Sequence, residues 1–199
     1  DKHSRHVQFA LTEIADECRH SVMFARAGER LNMPSYGPPR YIHHLGRLRG
    51  HFFKGANAYA AGMAAEEILD MMQRDFMRDE RVQPVTRAVS KIHVLEEARH
   101  IRFAREEVGR RLNGASRLRL AIERINTAVV VFFVVKSMIH PDVYANAGLD
   151  TERAFEEARN NTHHHDRVRK SGAKLMTFLD NVGLIGGPSK ILYKKVHLL

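Results

Sequence analysis

The chain has 199 residues, 44% hydrophobic and 28% charged, enough to close one substantial core and too evenly mixed for a disordered or collagen-like chain. Its 32 Lys and Arg outnumber its 23 Asp and Glu. The basic residues, however, are spread among Glu, as in RFAREEVGRRLNGASRLRL (102–120), and no zinc-finger spacing, RNA-binding aromatic motif or basic arm accompanies them, so they read as a solvated surface and no nucleic-acid partner is expected. The longest uncharged apolar run, INTAVVVFFVV (125–135), has 11 residues, about half of the roughly 20 that span a bilayer, and the one cysteine, Cys18, excludes an internal disulfide framework. A cytoplasmic location without membrane insertion is the expectation.

In chain order, apolar residues recur at intervals of three and four, so the whole chain reads as helix. DKHSRHVQFALTEIADECRH opens as though already inside one, which leads us to expect further sequence upstream. A first long helix is expected over 3–32, with Val7, Ala10, Ile14, Glu17, Ser21 and Phe24 along one stripe, ending before NMPSYGPPRY (32–41), where adjacent prolines forbid continuation. A short helix over 41–49 follows. The second long helix is expected over 50–79, with Phe52, Ala56, Tyr59, Met63 and Glu66 on one face. A third starts at Pro84 and stops at Asn113-Gly114. The fourth, over 115–140, is the most apolar and is ended by Pro141; its VVVFFVV run suits a core or a pocket wall. A fifth covers 151–181, before GLIGGPSK (183–190). Helices this long, against an average of about 11–12 residues, suit members of a bundle lying side by side. The expected fold class is all-α, a long-helix bundle forming a single domain over 1–199.

Polar residues interrupt these apolar stripes in a pattern that carries chemistry. Glu17 and His20, in DECRH, are three apart, as are Glu97 and His100, in EEARH; Glu66 or Glu67, in AAEEILD, lies on the helix between. Positions i, i+3 and i+4 share a helix face, so each pair offers a carboxylate and an imidazole to one point. One such pair alone is usually a solvated surface pair. Two of them, with a further Glu between, form the ligand pattern of di-iron and di-manganese bundles, where two cations offset the cost of burying carboxylates. His93 falls on the same face as Glu97 and His100. Glu96 also neighbours His93 and His100, but Glu97 repeats the Glu17–His20 spacing and is the expected ligand. The run THHHD (162–166) is read as helix surface or a partly exposed core edge, because successive helical residues point in different directions, and His43 and His44, beside a proline-rich loop, are read as surface groups.

ADECRHSVMFARAGERL (15–31), AAEEILDMMQRDFMRDERVQPVTRAVSKIHVLEEARHIRFAREEVGRRL (64–112) and LMTFLDNVGLIGG (175–187) resemble the p-aminobenzoate N-oxygenase-like family of di-iron oxygenases, and the likeness runs through nearly the whole chain. The resemblance implies a ferritin-like, ribonucleotide-reductase-like bundle holding two Fe ions, with Mn possible as a substitute. Carried over position by position, it makes Glu17 and Glu97 bridging carboxylates, His20, His93 and His100 terminal ligands, and Glu66, in preference to Glu67, a terminal carboxylate. Glu17, Glu97 and His93 would then stand closest to the oxygen chemistry. The family draws one more Glu from a helix before the first Glu-x-x-His, a position upstream of this sequence. It also implies O2 and a small-molecule aromatic amine as substrates, an electron donor of unknown kind, and a homodimer. A carboxylate on the amine would need a cation, for which Arg167 or Arg169 is the expectation. The alternatives are a di-iron hydroxylase or desaturase acting on carbon, or a ferritin-like iron-binding protein.

Overall fold

Ser4 accepts a hydrogen bond from Val7 N and so opens the first helix, α1 (Arg5–Arg30); a hydroxyl there satisfies one of the amide donors that a helix start leaves unpaired. The structure, a computed structural model, describes residues 3–52 and 55–199, with the side chains of 49–52 left undescribed. After the proline-rich stretch comes α2 (Arg40–Phe52). The helix expected over 50–79 starts later: α3 (Ala56–Phe76) begins anew after Gly55, whose φ of +146° suits glycine alone. Its start is held from a distant helix, since Glu123 Oε2 accepts from Asn57 N at 2.9 Å and from Asn57 Nδ2 at 2.6 Å. A Cβ at position 55 would lie 2.7 Å from Glu123 Oε1, so the cap also needs the missing side chain. Phe52, expected on the inner face of this helix, has its side chain outside the described residues.

The third long helix is as expected: α4 runs Pro84–Leu112, followed by Gly114 at φ +69°. Ser116 caps α5 (Arg117–Ser137) through Arg119 N, and Pro141 precedes a short α6 (Asp142–Asn146) that the periodicity did not suggest. The single helix expected over 151–181 is two, α7 (Thr151–Asn160) and α8 (Thr162–Asn181). The division falls at Asn161, whose ψ of 109° leaves the helical region and whose side chain accepts from His163 N at 2.9 Å. An Asn in this role competes with the continuous helix by capping a new one. Beyond Gly183 a last helix, α9 (Ser189–Lys195), packs on α5. No strand occurs among the described residues, and the fold class is all-α. No described helix is long and apolar enough to cross a membrane.

The chain divides into two compact units, Asp1–Ser35 with Asp70–His100, and Tyr36–Leu69 with Ile101–Leu199. The second holds the main apolar core. Ala56, Ala60 and Ala64 of α3 are wholly buried, and around them lie Ile68, Val108, Ala128, Val131, Leu175 and Leu179. Val131 belongs to the VVVFFVV run, of which Phe132 and Val135 also pack against this core. At the C-terminus Leu198 is buried so closely over α8 that a Cβ on Gly172 would overlap its Cδ2. The first unit is built differently, because what it buries is largely polar.

Candidate metal centre

In the first unit the buried positions of α1 are Asp16 and His20. On α4 the buried set includes Ser90, His93, Val94, Glu97 and His100. The α4 residues follow the three-and-four spacing that the sequence predicts. On α1, however, Ile14, Glu17, Ser21 and Phe24 are all exposed, so the helix is turned about a quarter-turn from the expected stripe. Ionic and hydrogen-bonded reach across to α4, rather than apolar burial, sets its rotation.

Glu97 is the hub. Its Oε1 lies 3.0 Å from His100 Nδ1, 3.2 Å from His20 Nδ1 and 3.7 Å from His93 Nε2. Two three-donor groups share it: His20, His93 and Glu97, and Glu17, Glu97 and His100, each with its donor atoms within 4.8 Å of one another. Glu17 is the outlier in burial, with a side chain 50% exposed and Oε1 3.4 Å from His100 Nδ1. The rings of His20 and His93 stand 4.5 Å apart between centroids, and Phe24 meets the His93 ring edge-on at 5.0 Å. Five of the six expected ligands, Glu17, His20, His93, Glu97 and His100, thus converge.

The electrostatics match a site that wants cations. Burial first, and then the charges of Glu17, Glu13 and Asp16, push the Glu97 carboxyl up to about 8. Burial, and then His20 beside it, hold His93 below the usual imidazole range. Outside this ring, His20 Nε2 donates to Glu96 Oε2 at 2.7 Å and His100 Nε2 to Asp16 Oδ2 at 3.2 Å. Arg19 donates to Asp16 Oδ1 at 2.9 Å and sits 2.7 Å from Glu96 Oε1. Its hydrogen bond to Glu96 is the main cause holding that carboxyl below its ordinary range. For Asp16, burial pushes upward, but hydrogen bonds from His100 and Arg19 outweigh it and the net shift is down.

These contacts test whether metal ions fit. The Nε2 atoms of His20 and His100 face Glu96 and Asp16, which turns Nδ1 of each ring toward Glu97 Oε1, at 3.2 and 3.0 Å. His20 Nδ1 and Glu97 Oε2 are buried with no hydrogen-bond partner. Convergent buried acceptors of this kind are costly alone and are what a divalent cation bound by imidazole and carboxylate satisfies. The donor set fits.

The remaining expected residues lie in the second unit. Glu66 is half-buried on α3, whereas Glu67, the alternative, is buried in an ion pair with Arg105 at 2.6 Å. Arg167 and Arg169 are exposed on α8, and Arg169 is bound to Asp166 at 2.6 Å. His43 and His44 are exposed, as expected, and His165 stacks on His197 at 3.5 Å. Spacing alone missed the outer carboxylates Asp16 and Glu96 and the bridging Arg19. A signal for them was present, since each Glu-x-x-His is preceded by an acid and has Arg before its His.

Residues 1–183 match the family model described as P-aminobenzoate N-oxygenase AurF. Uncharacterised proteins of Mycobacterium bovis and of two Mycobacterium tuberculosis strains are each 32% identical over 120 residues, which is 56% of this chain and 34% of theirs. The match thus spans about a third of the length of these curated relatives. No solved structure matches the chain.

Proposed function

Because the chain belongs to the P-aminobenzoate N-oxygenase AurF family, we propose that it is a di-iron monooxygenase that transfers oxygen from O2 to the nitrogen of a small aromatic amine, of the p-aminobenzoate type. The observation that supports this reading is the pair of three-donor groups, one of His20, His93 and Glu97 and one of Glu17, Glu97 and His100, that share Glu97 in the first unit. Glu17, His20, His93, Glu97 and His100 would hold two iron ions, with Glu66 as a sixth ligand on the strength of the family resemblance alone. Bound iron supplies the activation of dioxygen.

The chain's own residues supply position and environment. Glu97, wholly buried and shared by both donor groups, suits a bridging carboxylate. Glu17, half exposed, has room to change its mode of binding. Phe24 meets the His93 ring edge-on, and apolar cover of this kind governs solvent access to a metal site. The reading also assigns residues 1–199 to one oxygenase domain, an external electron donor, a homodimer, a cytoplasmic location, and Arg167 or Arg169 as the cation for a substrate carboxylate.

The test is elemental analysis after anaerobic reconstitution with ferrous iron, followed by product analysis with p-aminobenzoate, O2 and a reductant. About two irons per chain and an N-oxidised product are expected. Oxidation on carbon alone would replace the reading with a hydroxylase, iron oxidation without organic product would replace it with a ferritin-like role, and no iron uptake would remove the metal centre.

A further inference from the structure

His197 N donates to Lys194 O and Leu198 N to Tyr193 O, each at 3.1 Å, and this pair of bonds closes the end of α9. Such a closure puts the residue after the helix cap in the left-handed region, where glycine is the usual occupant. Here that residue is His197, at φ +61°, a conformation that a Cβ disfavours. Its ring supplies the compensation. It stacks on His165 of α8, with centroids 3.5 Å apart and planes 10° apart, and His165 is itself fixed because its Nε2 donates to Arg159 O at 2.7 Å. On either side of His197, Val196 and Leu198 are buried, Leu198 in the notch that Gly172 leaves on α8. The stack thus stands between the two apolar anchors that seat this segment.

The charges around the stack are nearly all basic. His164, His165 and Arg169 of α8 bear on His197, and His165 and Arg167 bear on His164. Asp166, the acid within this stretch, is bound to Arg169 at 2.6 Å. The end of α7 contributes the Arg159 carbonyl, and α9 carries Lys194 and Lys195 just before the turn. Arg124 of α5, the helix on which α9 packs, is spent on the Gly183 carbonyl. A proton on either stacked ring therefore meets no free counter-charge among these groups. We propose that the His165–His197 stack is an acid-sensitive latch: with both rings neutral it seats residues 196–198 on α8, and protonation loosens them and uncovers Gly172. Burial first, and then the basic neighbours, hold His197 and His164 below the usual imidazole range. The seated segment thus takes up protons less readily than the released one. Its seating is complete above the ordinary imidazole value of 6.5 and weakens as pH falls below it. The latch lies wholly in the second unit and stands apart from the metal-centre reading.

The test is amide hydrogen exchange of the full chain at about pH 7.5 and about pH 5.5, with each rate corrected for its intrinsic pH dependence. The His197 and Leu198 amides, which close the turn, should lose protection at the lower pH, by about tenfold for each unit by which seating lowers a histidine. The Leu175 and Leu179 amides in the buried face of α8 should keep theirs. His165→Phe keeps a ring to stack on but cannot take a proton, and should shrink the step. His197→Gly suits the left-handed backbone and removes both the stack and its proton, so the turn should stay closed with little of the step left. Equal protection of the two wild-type amides at both pH values would overturn the proposal, as would a full-sized step in His197→Gly. Loss of protection that spreads equally to Leu175 and Leu179 would also overturn it, because the acid response would then be unfolding of the unit and not release of its edge.

Discussion

Glu97 is the residue at which burial and charge pull hardest against ionisation, and its pH behaviour follows from that. Its folded carboxyl titrates near 8, well above its ordinary 4.5. Between those values the folded metal-free chain holds a proton that the unfolded chain has released, so stability falls as pH rises through this window. Asp16 and Glu96 act with the opposite sign, because their folded values are lowered. Their contribution is present above the ordinary carboxylate range and is lost as pH falls through the folded values. Glu97→Gln should therefore leave the metal-free chain little changed below the ordinary carboxylate value of 4.5 and stabilise it at about pH 8.5 by on the order of 1–3 kcal/mol, as read by urea denaturation, while weakening iron binding. Equal stability of the two chains at pH 8.5 would contradict the electrostatic reading of this site. His93 tests the donor set itself. It shares a three-donor group with His20 and Glu97, so His93→Ala should lose at least one iron per chain and N-oxidation together while keeping its helix content; full activity would take His93 out of the centre.

Among the elements, the start of α3 depends on a residue far away in sequence. Glu123, buried on α5, caps Asn57 through both its amide and its side chain. Replacing it with Ala leaves two buried donors unsatisfied, at about 1–3 kcal/mol for such a group. Glu123→Ala should therefore destabilise the chain by roughly that much in chemical denaturation, and Glu123→Gln, which keeps one acceptor oxygen, by less. Equal losses would mean that the ionised carboxylate itself is needed to cap Asn57, since Gln keeps the volume and one acceptor oxygen; a loss in Ala alone would leave packing volume as a rival to capping. Asn161→Ala, at the junction of α7 and α8, should cost about 0.5–2 kcal/mol, the usual worth of an N-cap. These two positions also show what the sequence could and could not convey. The Glu17–His20 and Glu97–His100 pairs were legible because i, i+3 proximity is local to a helix. The break before α3 was not, since it rests on Gly55 and on an acid 66 residues from Asn57. Nor was the turn of α1, which is set by bonds to α4 that a one-helix periodicity cannot contain.

For the molecule as a whole, the two units differ in what holds them together, and metal should act on them unequally. The second unit closes on an apolar core of α3, α5, α8 and α9 side chains, from Ala60 to Tyr193 and Leu198. The first buries Asp16, His20, His93, Glu97 and His100, and His20 Nδ1 and Glu97 Oε2 among them lack a hydrogen-bond partner, so under the proposed function a bound cation would add most to its stability. Binding to the folded state alone stabilises by about 2.7 kcal/mol when free ligand stands at 100 times its dissociation constant. Anaerobic ferrous iron should therefore slow amide hydrogen exchange in the turns of α1 around residues 13–20 and of α4 around 93–100, by up to about a hundredfold at that excess. Under the proposed ligand set the turn of α3 around Glu66 should be protected too, whereas α8 and α9, which carry none of those ligands, should exchange at unchanged rates. Removing the iron with a chelator should reverse the effect. Protection in α1 and α4 without α3 would keep the five-residue cluster and remove Glu66 from it; protection beginning instead in α8, near His165 and His197, would place the metal away from Glu97 altogether.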